Sequence, residues 1–333
     1  MTGTSLASTS GRAGTRAAGL IAVLAAGLAL AACGGSQVSA VRLARASSQQ
    51  SRALLQARAR RSPPYAVGER VLTFVDRSRL IRLPGRRPQP RRLVTVVRYP
   101  EHAAGPFPLV VFGHGFAVTP AYYFRLLRAW AQAGYVVAAP VFPLGNAHAP
   151  GGPDEADIVN QPRDMSFVIT RLLGASADRR SPLAGLIDPG AIAVSGQSDG
   201  GETALAVAYD RYYHDRRVRA AIILSGAQIP GARGFDFPTP SPPLLATQGT
   251  ADTINQPRFT YAFFGLAPRP KYLLKLLGAG HLPPYTYQQP QLSIVERVTI
   301  AFLDRYLKSA HHGIARMIAA GDIAGRAELV VRR

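Results

Sequence analysis

Short apolar runs alternate with amphipathic segments from about residue 65 to residue 308. Eight runs of four to seven residues, rich in β-branched side chains and bounded by glycine, proline or charged residues, predict strands. They cover 71–75, 93–99, 109–112, 135–139, 191–194, 220–224, 244–247 and 272–277. Helical spacing of apolar residues predicts helices over 121–133, 163–173, 202–209 and 293–307. This alternation predicts an α/β fold with a mostly parallel eight-stranded sheet and helices on both faces.

The first 63 residues follow another pattern. Arg12 and Arg16 precede an uncharged apolar run over 17–32, which is short for a bilayer helix and typical of a signal-peptide core. The run ends in Leu30-Ala31-Ala32-Cys33, and Cys33 is the only cysteine of the chain. This ending resembles the lipobox of bacterial lipoproteins, in which the cysteine is lipidated and becomes the mature N-terminus. The alternative is an ordinary cleaved signal peptide in which the cysteine has no role.

Positive charge is concentrated next to this segment. The net charge is +20, and residues 42–92 hold fourteen arginines against Glu69 and Asp76. We expect 1–32 to be a signal peptide and 33–63 a lipidated, basic and flexible tether. A lipid chain plus nearby arginines anchors a protein to an anionic leaflet, which predicts an exported protein at the outer face of the bacterial cell membrane. Arginine carries nearly all of the charge, a bias that a GC-rich genome also produces, so no nucleic-acid partner is inferred.

A candidate nucleophile lies between the strand 191–194 and the helix 202–209. The sequence there is Gly196-Gln197-Ser198-Asp199-Gly200, the glycine-flanked strand–turn–helix context that a nucleophile elbow requires. Glycine is needed on both sides because the turn leaves no room for side chains. Ser198 is therefore the predicted nucleophile, and the competing interpretation is a helix-capping serine.

A serine nucleophile needs a base and an acid that orients the base. His281 follows the predicted strand 272–277, and Asp252 follows the strand 244–247. All three residues come at the carboxyl ends of strands, where open α/β sheets bind their ligands. Asp236, in a proline-rich loop before the strand 244–247, is the alternative acid.

The glycine-rich turn after the strand 109–112 predicts an oxyanion hole. The backbone N–H of Phe116 would be one donor, and that of Asp199, after the nucleophile, would be the other. His114 in the same turn is expected to shape the hole or the substrate pocket rather than act as base. The remaining histidines show no metal-ligand spacing, so neither a metal nor a cofactor is expected.

The substrate pocket is expected to be open. Only the 19 residues of 225–243 separate two successive strands where many lipases carry a lid, so no large cap domain is predicted. Candidate pocket residues are His114, Tyr122, Phe142 and Tyr285. The competing interpretation is that these side chains pack beneath loops.

Residues 65–308 resemble the α/β-hydrolase superfamily, and within it the cap-less dienelactone-hydrolase-like, chlorophyllase-like and cutinase-like bacterial esterases. The motifs that carry the resemblance are 112–116, 196–201, 249–254, 278–281 and the final helix with 301–307. The resemblance implies an α/β-hydrolase fold and a Ser-His-Asp esterase without a cofactor. The chain departs from dienelactone hydrolases in having serine, not cysteine, as nucleophile. It departs from polyester-cleaving cutinases in lacking their aromatic clamp residue, since Ser225-Gly226-Ala227-Gln228 stands there.

These observations predict a catalytic domain over 64–308, followed by an extension over 309–333. The expected activity is hydrolysis of a small-molecule or lipid carboxylic ester through an acyl-enzyme. Two alternatives remain open: an acyltransferase of the cell envelope that uses the same triad, and a non-catalytic envelope-binding lipoprotein.

Overall fold

The computed structural model describes residues 64–229 and 237–333. These residues belong to a single unit, Pro63–Arg333. The predicted signal peptide, Cys33, the tether and the alternative acid Asp236 lie outside the described residues.

The described residues form one nine-stranded sheet in the order β1-β2-β4-β3-β5-β6-β7-β8-β9. The strands are β1 Val67–Ile81, β2 Gln89–Pro100, β3 Phe107–Gly113, β4 Val136–Pro140, β5 Ile187–Gln197, β6 Val218–Leu224, β7 Leu244–Gly249, β8 Lys271–Leu276 and β9 Ala327–Arg332. Strands β4, β3, β5, β6, β7 and β8 are parallel neighbours, whereas β1, β2 and β9 run antiparallel to their neighbours. This is the predicted α/β-hydrolase fold.

Helices cover both faces of the sheet, because the central strands are apolar on both sides. The helices are α1 Phe124–Gln132, α2 Gln161–Ala177, α3 Asp199–Tyr209, α4 Pro257–Leu266, α5 Pro283–Thr286, α6 Gln291–Leu307 and α7 Gly313–Gly321. On β3, Leu109 and Val111 pack into one core with α2, α3 and α4. Val110 and Phe112 pack into the other core with α1, α6 and α7. Within the described residues, no helix is long and apolar enough to cross a membrane.

The sheet has one strand more than the sequence predicts. Residues 309–333, expected to form an extension, contain α7 and β9, and β9 continues the sheet by pairing with β8. Strand β9 is six residues long, pairs with one neighbour only and has one buried side chain, so its short apolar run over 329–331 does not by itself indicate a strand. Helix α4 and the single turn α5 are likewise absent from the sequence prediction; each begins at a proline, Pro257 and Pro283.

Candidate active site

Ser198 lies at the turn between β5 and α3 in an uncommon backbone conformation, with φ 56° and ψ −126°. Its N–H donates to the Leu224 carbonyl of β6 at 3.0 Å. A Cβ on Gly196 would collide with the Gly200 carbonyl, and a Cβ on Gly200 would collide with the Gly113 carbonyl. The two glycines thus let the turn press against β3 while Ser198 takes the strained position at its tip.

A relay of hydrogen bonds connects Ser198, His281 and Asp252. His281 Nε2 lies 2.8 Å from Ser198 Oγ, and His281 Nδ1 lies 2.8 Å from Asp252 Oδ2. The three side chains come from the ends of β5, β7 and β8, as the sequence predicts. Asp252 is 3% exposed and Ser198 is 9% exposed, so the relay is largely shielded from water yet reachable at its serine end.

The loops after β7 and β8 hold the acid against the base. A Cβ on Gly249 would overlap the carbonyls of Ala279 and Gly280. The Ala251 N–H donates to the Ala279 carbonyl at 2.9 Å. Because only glycine allows this close approach, the packing of the two loops fixes the distance between Asp252 and His281.

The surroundings of Asp252 favour its ionised form. Burial alone raises the pKa of Asp252, but the hydrogen bond and the charge of His281 outweigh burial and hold the pKa below its ordinary value. Gln248 Nε2 donates to Oδ2 at 3.1 Å, and the Ile254 N–H donates to Oδ1 at 3.0 Å. An ionised Asp252 accepts from His281 Nδ1–H, which leaves Nε2 as the acceptor for the Ser198 hydroxyl.

A second set of polar contacts reaches His281 through Gln197, whose Nε2 lies 3.2 Å from His281 Nε2. The Gly115 N–H donates to Tyr123 Oη at 3.2 Å, and Tyr123 Oη donates to Gln197 Oε1 at 2.6 Å. Gln197 Nε2 in turn donates to the His281 carbonyl at 3.2 Å. Sequence reasoning missed these supporting residues, although the position of Gln197 directly before the nucleophile was a usable signal.

The loop after β3 brings the expected oxyanion donors beside the nucleophile. A Cβ on Gly115 would lie 3.3 Å from Ser198 Cβ. Ala117 N–H donates to the Gly145 carbonyl, and no backbone acceptor is found within the described residues for Phe116 N–H. Asp199 is the first residue of α3, and the first N–H groups of a helix have no partner inside it.

The predicted pocket residues need correction. His114, Phe142 and Tyr285 are 1%, 0% and 0% exposed, so they do not line an open pocket. The His114 ring uses both nitrogens internally, with Nδ1–H donating to the Gly115 carbonyl at 2.8 Å and Nε2 accepting the Phe142 N–H at 3.0 Å. Burial lowers the pKa of His114 to about 4, which keeps the ring neutral as a brace for the loop.

Tyr285 and Tyr122, the remaining pocket candidates, have distinct surroundings. Tyr285 Oη lies 2.9 Å from Ser225 Oγ and accepts from Thr247 Oγ1 at 3.2 Å, so it braces the strand ends below the relay. Tyr122 is the exception among the four candidates, since it is 55% exposed. The three buried rings therefore pack beneath loops, and the polar partners of His114 and Tyr285 are protein groups.

Two buried carboxyl groups stand on the first turn of α3. Burial raises the pKa of Asp199 to about 6, and the charge of Glu155 adds to this rise, whereas the charge of His281 opposes it. Burial and the charge of Asp199 raise the pKa of Glu202 to about 8, against an opposing hydrogen bond from Asn255. Within the described ranges, no group of three His, Cys, Asp or Glu side chains is arranged to hold a metal ion.

Comparison with known proteins finds a family match for the part of the chain that contains Ser198. The Chlorophyllase family model matches residues 77–225. The matched segment is similar to the Chlorophyllase family. It contains Ser198 and the loop 113–116, and it ends before Asp252 and His281. No curated protein matches the chain significantly. The fold and the family match together indicate an ester hydrolase of the α/β-hydrolase type.

Proposed function

We propose that the protein cleaves carboxylic esters with Ser198 as nucleophile, His281 as general base and acid, and Asp252 as the residue that orients and stabilises the histidine. The observation that carries the proposal is the unbroken relay of two 2.8 Å contacts from Ser198 Oγ to Asp252. Three groups that lie far apart in sequence meet in the geometry that acyl transfer requires.

In acylation, Ser198 Oγ attacks the carbonyl carbon of the ester while its proton passes to His281 Nε2. The tetrahedral oxyanion accepts hydrogen bonds from the N–H groups of Phe116 and Asp199. The ionised Asp252 stabilises the imidazolium. His281 Nε2–H then protonates the leaving alcohol oxygen, the ester bond breaks, and the acyl group remains on Ser198.

In deacylation, a water molecule replaces the alcohol. The water oxygen attacks the acyl carbon while His281 Nε2 takes a proton from the water. The N–H groups of Phe116 and Asp199 again donate hydrogen bonds to the oxyanion. Collapse of the intermediate releases the carboxylic acid and returns the proton to Ser198 Oγ. The substrate class is therefore a carboxylic ester, either a small molecule or a lipid.

We further propose that the protein works at the outer face of the cell membrane. The sequence ending at Cys33 and the arginines that follow it support this location, since a lipid chain and a basic segment together give stable attachment. The proposal for location is independent of the proposal for chemistry, because Cys33 lies outside the catalytic domain in sequence.

Hydrolysis of p-nitrophenyl esters of increasing acyl length tests the activity. We expect turnover by the wild-type chain and loss of turnover in Ser198→Ala. The matched control is Ser293→Ala, whose half-buried hydroxyl on α6 donates to Gln289 Oε1. Product analysis with added alcohol distinguishes water from an alcohol as acceptor. A folded wild-type protein that cleaves none of the esters, and transfers no acyl group, would contradict the proposal.

A further inference from the structure

The hairpin of β1 and β2 carries an exposed cluster of positive charge that the ester chemistry does not use. We call residues 80–88 the hairpin tip. Arg82, Arg86 and Arg87 of the tip are exposed. None of these three guanidinium groups forms an ion pair within the described residues. Such unpaired charges favour an anionic partner.

The hairpin tip projects beyond the carboxyl ends of the parallel strands. The active site lies at the same edge of the sheet, which we call the active-site edge. Arg98 of β2 pairs with Val137 near the start of β4, and Thr95 pairs with Pro140 at its end. The residues 89–94 of β2 therefore extend past the carboxyl end of β4, a length of about 20 Å at 3.3 Å per residue. Ser198, at the carboxyl end of β5, belongs to the same edge.

The hairpin is fastened to the domain by residues that directly flank its tip. Arg91 is 2% exposed and forms two-point hydrogen bonds with both Asp157 and Asp164, at 2.6 to 2.9 Å. Arg79 Nη1 donates to the Asn160 carbonyl at 3.2 Å. These contacts fix the direction in which the tip projects, so its position relative to the active-site edge is a property of the fold.

The composition of the tip favours a lipid surface over a nucleic acid. Leu80 is 46% exposed, and Ile81 and Leu83 are half-buried, so apolar side chains are interleaved with the arginines. Non-specific binding to a polyanion such as DNA comes essentially from charge, so exposed apolar side chains add little to it. A bilayer interface accepts both, with arginines at the phosphates and apolar side chains at the acyl boundary.

We propose that the hairpin tip docks on an anionic phospholipid surface and turns the active-site edge toward it. The arginines provide the attraction, Leu80 enters the interface, and the Arg91 contacts hold the orientation. The ester substrate at this edge would then be one that lies in or leaves the lipid surface. This docking does not require lipidation of Cys33. Its substrate consequence rests on the proposed ester hydrolysis, but the docking itself does not.

A reporter at the tip tests the docking directly. The only tryptophan, Trp130, is fully buried, so Leu80→Trp adds one exposed fluorophore. In the full-length chain with Cys33→Ser, we expect its emission to shift to the blue with phosphatidylglycerol vesicles, to stay unchanged with phosphatidylcholine vesicles, and to revert at high salt. An unchanged emission with both vesicle types would overturn the proposal.

The triple variant Arg82→Gln/Arg86→Gln/Arg87→Gln, which we call the hairpin triple, tests the contribution of the tip arginines to lipid binding. The ratio of partitioning into phosphatidylglycerol over phosphatidylcholine vesicles should fall by roughly a hundredfold, because each arginine near an anionic surface contributes roughly fivefold. The matched control is Arg179→Gln/Arg180→Gln/Arg216→Gln, which removes the same charge from exposed residues at the opposite edge of the sheet. Equal losses in both triples would overturn the proposal.

Two further measurements distinguish lipid docking from a defect in ester hydrolysis and from binding to nucleic acid. Hydrolysis of a soluble p-nitrophenyl ester should be unchanged in the hairpin triple, so a loss of lipid binding is distinguishable from a failure of the ester chemistry. Leu80→Asn should weaken binding to phosphatidylglycerol vesicles without changing binding to double-stranded DNA. A tip that binds DNA more tightly than the anionic vesicles, with no effect of Leu80→Asn on the vesicles, would identify a nucleic-acid surface instead.

Discussion

At the scale of single residues, the surroundings of Asp252 favour its ionised carboxylate. Its oxygens accept hydrogen bonds from Gln248, His281 and the Ile254 N–H. Burial raises the pKa of Asp252, but the hydrogen bond and charge of His281, together with the Ile254 N–H, hold it below its ordinary value. A neutral side chain of the same shape should therefore disrupt function with little change in packing.

Replacing Asp252 by asparagine tests that assignment. In Asp252→Asn, the amide no longer stabilises the imidazolium or selects the correct tautomer of His281, so kcat should fall by roughly 10³- to 10⁴-fold. Steady-state hydrolysis of a p-nitrophenyl ester is the measurement, and Asp322→Asn, at an exposed position, is the control. Near-normal activity in Asp252→Asn together with a loss in Asp236→Asn would move the role to Asp236.

A second residue-scale prediction concerns Glu202. Its pKa is raised to about 8 from an ordinary value of 4.5, chiefly by burial. A carboxyl group whose pKa is raised by folding stabilises the folded state fully below pH 4.5, and this stabilisation is lost as the pH rises toward 8. The amide of Glu202→Gln does not ionise, so the variant should not lose stability between pH 4.5 and pH 8. At pH 9 its free energy of unfolding should exceed that of the wild type by roughly 2 to 4 kcal/mol.

Urea unfolding at pH 5 and at pH 9 measures this effect. Glu328→Gln, at an exposed position of β9, is the control and should change stability little at either pH. If wild type and Glu202→Gln differ by the same amount at both pH values, the carboxyl group of Glu202 is not perturbed by burial.

The three relay residues were predictable from sequence, but their supports were not. Ser198, Asp252 and His281 each follow an apolar strand, and each stands in a glycine-rich turn. Their supports include Gln197, Tyr123 and Gln248, whose roles depend on side-chain distances between strands that no sequence pattern encodes. Likewise, sequence wrongly predicts His114, Phe142 and Tyr285 in the pocket, because residue type alone does not reveal whether a side chain faces solvent or the core.

At the scale of elements, the hairpin of β1 and β2 is joined to α2 through a buried cluster of charges. Arg91 lies between Asp157 and Asp164, all at most 4% exposed. Burial raises the pKa of Asp164 even beside Arg91, whose hydrogen bond and charge oppose the rise. The cluster therefore depends on the arginine to compensate two buried carboxyl groups.

Removing that arginine should unfold the protein more easily. Arg91→Met keeps much of the apolar stem but removes the one cation that contacts both Asp157 and Asp164, leaving Asp164 with Arg79 and Asp157 with Asn160. Loss of this buried ion pair costs about 3 to 5 kcal/mol. The free energy of unfolding from urea titration is the measurement. Arg92→Met, at the exposed neighbouring position, should change it by less than about 0.5 kcal/mol. Equal stability of both variants would mean that the cluster contributes nothing.

The central strands β3, β4, β6 and β7, which are buried on both sides, are readily predicted from sequence. All eight predicted strands are present, since short uninterrupted apolar runs such as those of β3 and β6 are typical of strands inside a parallel sheet. Strand β9 and helix α7 are only six and nine residues long, so their apolar residues do not establish a clear strand or helix period. The place of β9 in the sheet is set by the free edge of β8.

At the scale of the whole molecule, attachment and chemistry are assigned to separate parts of the sequence. The described residues supply the fold and the relay, whereas the proposed anchor at Cys33 lies outside them. Cys33→Ser should therefore release the protein from membranes after a high-salt wash, which removes electrostatic attachment, while esterase activity is retained. Fractionation followed by an ester assay measures both. A variant that is processed normally and still resists the wash would contradict the lipoprotein prediction.

Activation of Ser198 by His281 is the central claim about this molecule. A fluorophosphonate probe followed by peptide mass spectrometry tests it most directly, because only an activated hydroxyl attacks such a phosphorus centre rapidly at neutral pH. We expect labelling of Ser198 alone in the wild type, none in Ser198→Ala, and nearly none in His281→Ala. A folded wild-type protein that takes up no probe, or labelling at another serine, would contradict the claim.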